Sequence, residues 1–384
     1  MEFSSASFAY PKHAGVVRAE LANRLLTSFT LERGFVLSTC LRVEVAVPGD
    51  EEDLSVALRH LFGVLGEEAT PQIRQGERAV AHLYRIAAGL ESPILGEHEI
   101  LTQFRQSLIE AEEKGQVQGV FARVLETAVG TGRQARELLP KSPHNSMAAV
   151  AAQTVGASDR VAVLGSGIMA TAVVDGLMQL PAPPRVTVLA RNPDKVADRP
   201  GIEVLSLERA PDVISRFPAV VSATSAKHRL IDDSTIASAV ADRTEPLLLV
   251  DMAMPPDFRA PAGSGITYID IDQLARLADR RSRSDEADAL VESAAGEAYR
   301  KYRDHHEVGP VIGNLMANAD EIVASVVQRF SGRLTDPSDV DVMRQSAHTV
   351  ARTLLAGPVD YLKGEHRAPE AIDIIADAFG VEDE

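Results

Sequence analysis

The 384 residues carry one cysteine and a formal net charge of −16. A single cysteine excludes an intramolecular disulfide framework, and the acidic balance argues against indiscriminate binding to a phosphate backbone, which rests on many lysine and arginine contacts. With 45% hydrophobic and 24% charged residues, the chain reads as a globular protein of roughly two or three domains without a membrane-spanning helix.

The opening segment MEFSSASFAYPKHAG lacks the basic start, apolar stretch and cleavage site of a secretory signal, so a cytoplasmic protein beginning near Met1 is expected. Residues 1–142 combine strand-like runs at 34–37 and 43–47 with helical periodicity from Glu51 onward, the pattern of an α+β domain. Cys40 follows the first of these runs in LSTCLRVEV. No cysteine-histidine cluster has zinc spacing, so no metal site is expected, and Cys40 is explained either by chemistry or by burial as a small apolar group. A nucleophilic thiol needs a nearby cation, and Arg42 offers that field or a grip on a substrate carboxylate.

Residues 143–284 alternate short apolar runs with helical segments: VAVLG at 161–165, VTVLA at 186–190, AVVSAT at 219–224, LLLVDM at 247–252 and ITYID at 266–270. Runs without polar alternation mark parallel strands covered on both faces, so a doubly wound α/β, Rossmann-type domain is predicted. Gly165-Ser166-Gly167-Ile168-Met169-Ala170 follows the first strand and opens a helix. The first glycine permits a tight turn, the second lets backbone approach a pyrophosphate, and Ala170 allows close helix-strand packing. At the end of the second strand stands Arg191, where an acid would select NAD. An arginine there pairs with a 2′-phosphate, so NADPH is the expected cofactor, the alternative being a solvated surface arginine. Thr224 and Ser225 end a later strand at the edge that would face the cofactor.

Residues 285–384 show no strand pattern. Apolar positions Ile312, Leu315, Met316, Ala319, Ile322, Val323, Val326, Val327 and Phe330 recur at helical spacing, and a second helix follows the Asp336-Pro337 break with Met343, Val350, Ala351, Leu354 and Leu355. These faces have no sheet to cover, which predicts an all-helical dimerisation domain.

The segment around Cys40 resembles the STCNRxE signature of glutamyl-tRNA reductases, with Ser38, Thr39, Cys40, Arg42 and Glu44 matching. HLYRIAAGLESPILGEHEILTQ at 82–103 is similar to another block of that family, and further matches run collinearly through GRQARELLP, SMAAV, SATSA, VDMAMPPD, IDIDQL and PVIGNLMANADEI. The resemblance covers nearly the whole chain. It implies a multidomain α/β enzyme in which Cys40 captures the glutamyl group of glutamyl-tRNA as a thioester, and NADPH reduces the thioester to glutamate-1-semialdehyde, the precursor of tetrapyrroles. By positional matching, Arg42 grips the substrate carboxylate, and Thr39 and Ser92 orient the amino acid. His82 lies near the reacting centre as a general acid or a polar wall, or is simply a hydrogen-bonded helix histidine. Glu97, Glu99 and Glu44 belong to the same surroundings, with structural pairing to an arginine as the other reading of Glu44 and Glu97.

Three positions depart from the family pattern: Leu41 stands for asparagine, Glu99 for glutamine and Pro256 for arginine. Loss of an amide and gain of a charge near a polar pocket alter substrate choice, so a diverged member acting on another aminoacyl-tRNA or thioester is the second reading. A non-catalytic NADPH-binding regulator is the third. For tRNA contact, Arg123, Arg133, Arg136 and Lys141 form the candidate basic stripe, or else a solvated helix face. A homodimer and an aminotransferase that receives the aldehyde are the other expected partners.

Overall fold

The computed structural model describes residues 2–27, 31–62, 70–139, 146–226, 229–241, 243, 245–259, 265–278, 284–334, 336–364, 368 and 370–380. The expected boundary at Ser142 and Pro143 and the candidate Lys141 fall outside them. Two compact units are present, Glu2–Ala298 and Tyr299–Glu384. No described helix is long and apolar enough to cross a membrane.

The larger unit begins with a four-stranded antiparallel sheet of order β2-β3-β1-β4, built from β1 (Ser4–Ala9), β2 (Phe35–Ser38), β3 (Arg42–Val47) and β4 (Gln72–Gln75). Helices α1 (Gly15–Thr27) and α2 (Glu51–Phe62) help cover it, burying Phe8, Leu21, Val43, Val45, Leu54 and Leu58 in one cluster. Next come α3 (Glu77–Ala88), α4 (His98–Glu113) and α5 (Gly119–Glu137). Gly132 of α5 lets that helix approach α3 closely: a Cβ there would stand 2.6 Å from the Ala87 carbonyl oxygen.

The same unit holds a six-stranded, wholly parallel sheet of order β10-β9-β8-β5-β6-β7. Its strands are β5 (Arg160–Leu164), β6 (Arg185–Ala190), β7 (Ile202–Ser206), β8 (Ala219–Ser222), β9 (Leu247–Asp251) and β10 (Ile266–Asp270). Helices α6 (Met147–Val155), α7 (Ile168–Met178), α8 (Ala210–Arg216), α9 (Asp233–Ala241) and α10 (Ile271–Leu277) accompany them. The five runs read from the sequence are all strands here. β7 was not foreseen, since its burial is only partial along the edge. The strand order reverses between β8 and β6 on either side of β5, the switch point at which such sheets bind dinucleotides.

Helix α11 (Asp285–Ser331) runs without interruption through Pro310, and α12 (Pro337–Lys363) starts at the expected break, where the Asp336 side chain caps the Ser338 N–H. The part of α11 from Tyr299 onward, α12 and α13 (Ala371–Ala378) make the smaller unit helical among its described residues. Val308, Val311, Leu315, Leu362 and Ala376 close its core, while Ile322, Val326, Phe330, Val350 and Leu354 stay exposed on the single chain.

Candidate functional site

The turn from β2 to β3 is tied by its own backbone. Thr39 N–H donates to the Arg42 carbonyl at 2.8 Å, and Thr39 Oγ1 accepts from the N–H groups of Leu41 and Arg42 at 3.3 and 3.2 Å. The hydroxyl proposed to orient substrate is therefore engaged in shaping the loop, and Cys40 is carried at its tip, half-buried. Leu41 enters an apolar cluster that also contains Ile94, Met147, Ala170, Ala223 and Met252, and Cys40 packs against that cluster. Ala170 opens α7 behind the glycine loop, and Ala223 and Met252 follow β8 and β9. The cysteine loop thus lies against the carboxyl edge of the parallel sheet.

Burial pushes the Cys40 thiol up to about 12, with Glu97 adding to the rise and Arg18 opposing it. The cation at Cys40 is therefore Arg18, not Arg42 as the sequence suggested. Arg18 Nε and Nη2 donate to the Cys40 carbonyl at 3.2 and 3.1 Å. Arg42 is turned to other partners: Nη1 stands 3.4 Å from Glu44 Oε1, and Nη2 donates to the Glu91 carbonyl. Glu44, fully buried, also accepts from Ser7 Oγ at 2.9 Å and meets His82 Nε2 at 3.2 Å. These contacts fit the structural-pair reading of Glu44, while His82 also lines a cleft of about 1150 Å³ with Arg78, Arg85 and Glu91.

Ser92 is half-buried in the segment between α3 and α4. Glu97, at the start of α4, is 7% exposed, and burial, then the charge of Glu99, raises its carboxyl to about 7. Glu99 is half-buried in the first turn of that helix. Arg136 donates to the Glu97 carbonyl, and its desolvation lowers it to about 10. It is anchored in the fold, whereas Arg123 and Arg133 are exposed.

At the other end of the site, Gly165 has φ 115°, and a Cβ there would lie 2.6 Å from the Ala223 carbonyl oxygen, so only glycine fits. A Cβ on Gly167 would meet nothing within 4 Å, and Ser166, Gly167 and Ile168 are exposed at the amino end of α7, with Met169 half-buried and Ala170 buried. Open space in front of free helix N–H groups suits a pyrophosphate. Arg191, exposed, lines a cleft of about 430 Å³ with Leu207, Glu208, Ile231 and Asp232. Thr224 Oγ1 donates to Asp257 at 2.8 Å and Ser222 Oγ does so at 2.6 Å, which fixes the chain end of β8, while Ser225 is exposed beyond it. Burial and the neighbouring Asp257 charge lift Asp251 to about 7.

Sequence reasoning missed Arg18, Asp272 and Asp257. Arg18 lies inside the amino-terminal PKHAGVVRAE stretch, but only its fully buried side chain reveals its part.

Comparison with known proteins gives a consistent picture. Residues 6–138 match the family described as glutamyl-tRNAGlu reductase, N-terminal domain. Residues 149–277 match shikimate / quinate 5-dehydrogenase, and residues 286–381 match the glutamyl-tRNAGlu reductase dimerisation domain. The dehydrogenase match and the glycine loop make the middle region a nicotinamide-cofactor fold. The glutamyl-tRNA reductase of Thermus thermophilus is 30% identical over 83% of this chain and 86% of its own. That of Kineococcus radiotolerans is 30% identical over 93% of this chain and 86% of its own. Among solved structures, glutamyl-tRNA reductase from Methanopyrus kandleri aligns over 99% of both chains at 24% identity, with a TM-score of 0.49.

Proposed function

The chain belongs to the glutamyl-tRNA reductase family, and on that premise we propose that it converts glutamyl-tRNA to glutamate-1-semialdehyde with NADPH, the first step of tetrapyrrole synthesis, carrying the glutamyl group on Cys40. The observation that supports this reading is the seat of Cys40 against the apolar cluster that holds Ala170, Ala223 and Met252, at the sheet edge where the dinucleotide fold presents its ligand.

In the proposed reaction, Cys40 Sγ loses its proton and attacks the ester carbonyl. The tRNA hydroxyl leaves with a proton, and a thioester remains. The dinucleotide, when bound, supplies a hydride to the thioester carbonyl carbon. The carbonyl oxygen takes up a proton as the thiohemiacetal forms, and collapse then breaks the C–S bond, gives the aldehyde and returns the proton to the Cys40 sulfur. Tethering the acyl group at the sheet edge makes the reduction effectively unimolecular. Gly165 makes the tight turn against the Ala223 carbonyl, Gly167 leaves room for the pyrophosphate, and Ala170 keeps α7 close to β5. Arg191 pairs with the 2′-phosphate as the cation of that cleft, with the Ser206 and Thr235 hydroxyls beside it and Glu208 and Asp232 opposing the anion. Glu44 holds His82 through Nε2 at the edge of the cleft, where His82 serves as a general acid or a polar wall.

Domains spanning 1–142, 143–284 and 285–384 divide this work, in a cytoplasmic homodimer joined by the helical region. An aminotransferase that consumes the reactive aldehyde is the fitting partner. Incubation of the purified protein with NADPH and each charged tRNA in turn, with the aldehyde identified by mass spectrometry, tests the reading. Aldehyde from glutamyl-tRNA, lost in Cys40→Ser, supports it; aldehyde only from another aminoacyl-tRNA, or turnover surviving Cys40→Ser, overturns it.

A further inference from the structure

We propose that Arg18 is a positioning residue for Cys40, and that Asp272 locks it there, so that the thiol is poised only while α10 of the nucleotide-binding fold is docked against α1. Arg18 is completely buried, and every arm of its guanidinium is occupied. Nε and Nη2 fork onto the Cys40 carbonyl at 3.2 and 3.1 Å, Nη1 donates to the His13 carbonyl, and Nη2 also meets Asp272 Oδ1. Asp272 spends its second oxygen on α1 as well, accepting the Gly15 N–H at 2.9 Å on Oδ2.

A desolvated guanidinium persists only when a counter-charge and well-placed acceptors compensate it. The counter-charge here comes from far along the chain: Asp272 belongs to the first turn of α10, directly after the edge strand β10. Apolar packing runs beside the ion pair, because Ile271, Leu274 and Ala275 of α10 share the cluster that Leu41 enters and Cys40 touches. The two oxygens of Asp272 therefore hold the amino end of α1 and the guanidinium together, and the guanidinium in turn fixes the backbone of the nucleophile.

The charged groups that act on the sulfur are Glu97 and Glu99, which favour the thiol, and Arg18, which favours the thiolate. Asp272 acts on the sulfur through Arg18. Withdrawing Asp272 removes the counter-charge of the guanidinium and leaves it to the His13 and Cys40 carbonyls, which loosens its place beside the sulfur. This positioning role rests on Cys40 being the acyl carrier, but its test reads the sulfur directly and does not depend on turnover.

The test uses the full chain and its single cysteine, so that iodoacetamide labelling followed by mass spectrometry reports on Cys40 alone. Rates are taken across pH 6 to 10, in about one-unit steps so that a single pKa unit is resolved, for Asp272→Asn, Asp272→Glu, Arg18→Met, Arg18→Lys and the double variant Arg18→Met/Asp272→Asn. Asp272→Asn and Arg18→Met are each expected to slow labelling at pH 8 by on the order of tenfold, one pKa unit's worth, by moving the profile to higher pH. The double variant should be no slower than Arg18→Met, and the conservative Lys and Glu variants should recover part of the rate. An Asp272→Asn profile that superimposes on the parent overturns the proposal. So do effects that multiply in the double variant, or faster labelling, which would mean that the contact merely shields the sulfur. Should Arg18→Met fail to fold, Asp272→Asn against Asp272→Glu decides alone. Loss of turnover in Cys40→Ser bears only on the acyl-carrier reading.

Discussion

His82 Nε2 lies 3.2 Å from Glu44 Oε2, joining α3 to β3 beneath the cysteine loop. The other oxygen of Glu44 takes Ser7 Oγ at 2.9 Å and Arg42 Nη1 at 3.4 Å, and the carboxylate is fully buried. Three polar side chains thus converge on one buried carboxyl group.

Removing Glu44 leaves Arg42 without its buried carboxylate. Glu44→Ala is expected to destabilise the protein by about 3–5 kcal/mol, the usual cost of breaking a buried pair by deleting one partner. Glu44→Gln keeps an acceptor and should cost less. Urea unfolding of both variants checks the order; equal, small losses would mean that Arg42 and His82 find other partners.

The dinucleotide half was the most legible in the sequence, because its signals are local. Gly165 and Gly167 need their conformational or steric freedom on the spot, and strands buried on both faces advertise themselves as unbroken apolar runs. The N-terminal sheet was harder to read. β1 is SSASFA, and its Ser4, Ser5 and Ser7 are buried, with Ser4 and Ser7 donating to Gly49 and Glu44; buried hydroxyls look like loop to a hydropathy pattern. Arg18 was invisible for a related reason. An arginine within a helix reads as solvated, and it is Asp272, brought in by tertiary structure, that supplies the counter-charge for its burial.

Leu41 occupies a position where the family pattern has an amide, and the structure turns that departure into a packing feature. Its side chain is 5% exposed within the cluster shared with Ile94 and Ala170. Leu41→Asn is expected to lose about 3 kcal/mol, combining the lost burial with an amide placed in apolar surroundings. The choice of aminoacyl-tRNA should not change. A switch of preferred substrate in this variant would return Leu41 to the pocket.

Glu97 has a folded-state value near 7 against an ordinary 4.5, raised first by burial and then by Glu99. Because the folded protein holds this proton more tightly than the unfolded chain, its contribution is fully present below about 4.5 and is lost as pH rises through about 7. Glu97→Gln, which stays neutral, should therefore gain on the parent protein across that window by at most about 3 kcal/mol. Asp251, also raised to about 7, leaves a residual slope in both proteins. Denaturant midpoints measured from acid to mildly alkaline pH test this, and a difference between the two proteins that does not vary with pH rejects it. The same variant should speed alkylation of Cys40 above neutrality, since Glu97 no longer repels the thiolate.

Arg191 is exposed beside the cleft after β6, in company with Glu208 and Asp232. Arg191→Ala is expected to raise KM for NADPH by roughly ten- to a hundredfold, the loss of a charge-assisted pair worth about 1.5–3 kcal/mol, while KM for NADH stays nearly constant. Parallel steady-state assays with the two cofactors decide it. Equal losses for both would place Arg191 outside the 2′-phosphate subsite.

Arg133 and Arg136 share the last turns of α5 but differ in what holds them. Arg136 is half-buried on the Glu97 carbonyl, whereas Arg133 is exposed and able to meet a phosphate. Counterion release makes each phosphate contact add close to one unit to the salt slope of binding. Arg133→Ala should therefore weaken tRNA binding and flatten its dependence on salt by about one unit, with little change in stability. Arg136→Ala should instead lower stability by about 1–3 kcal/mol, because a buried carbonyl loses its donor, and leave the salt slope alone. Titrations of charged tRNA at several salt concentrations, paired with melting curves, separate the two. If Arg136 rather than Arg133 alters the slope, the interface lies on the buried side of α5 and the fold must open to receive the tRNA.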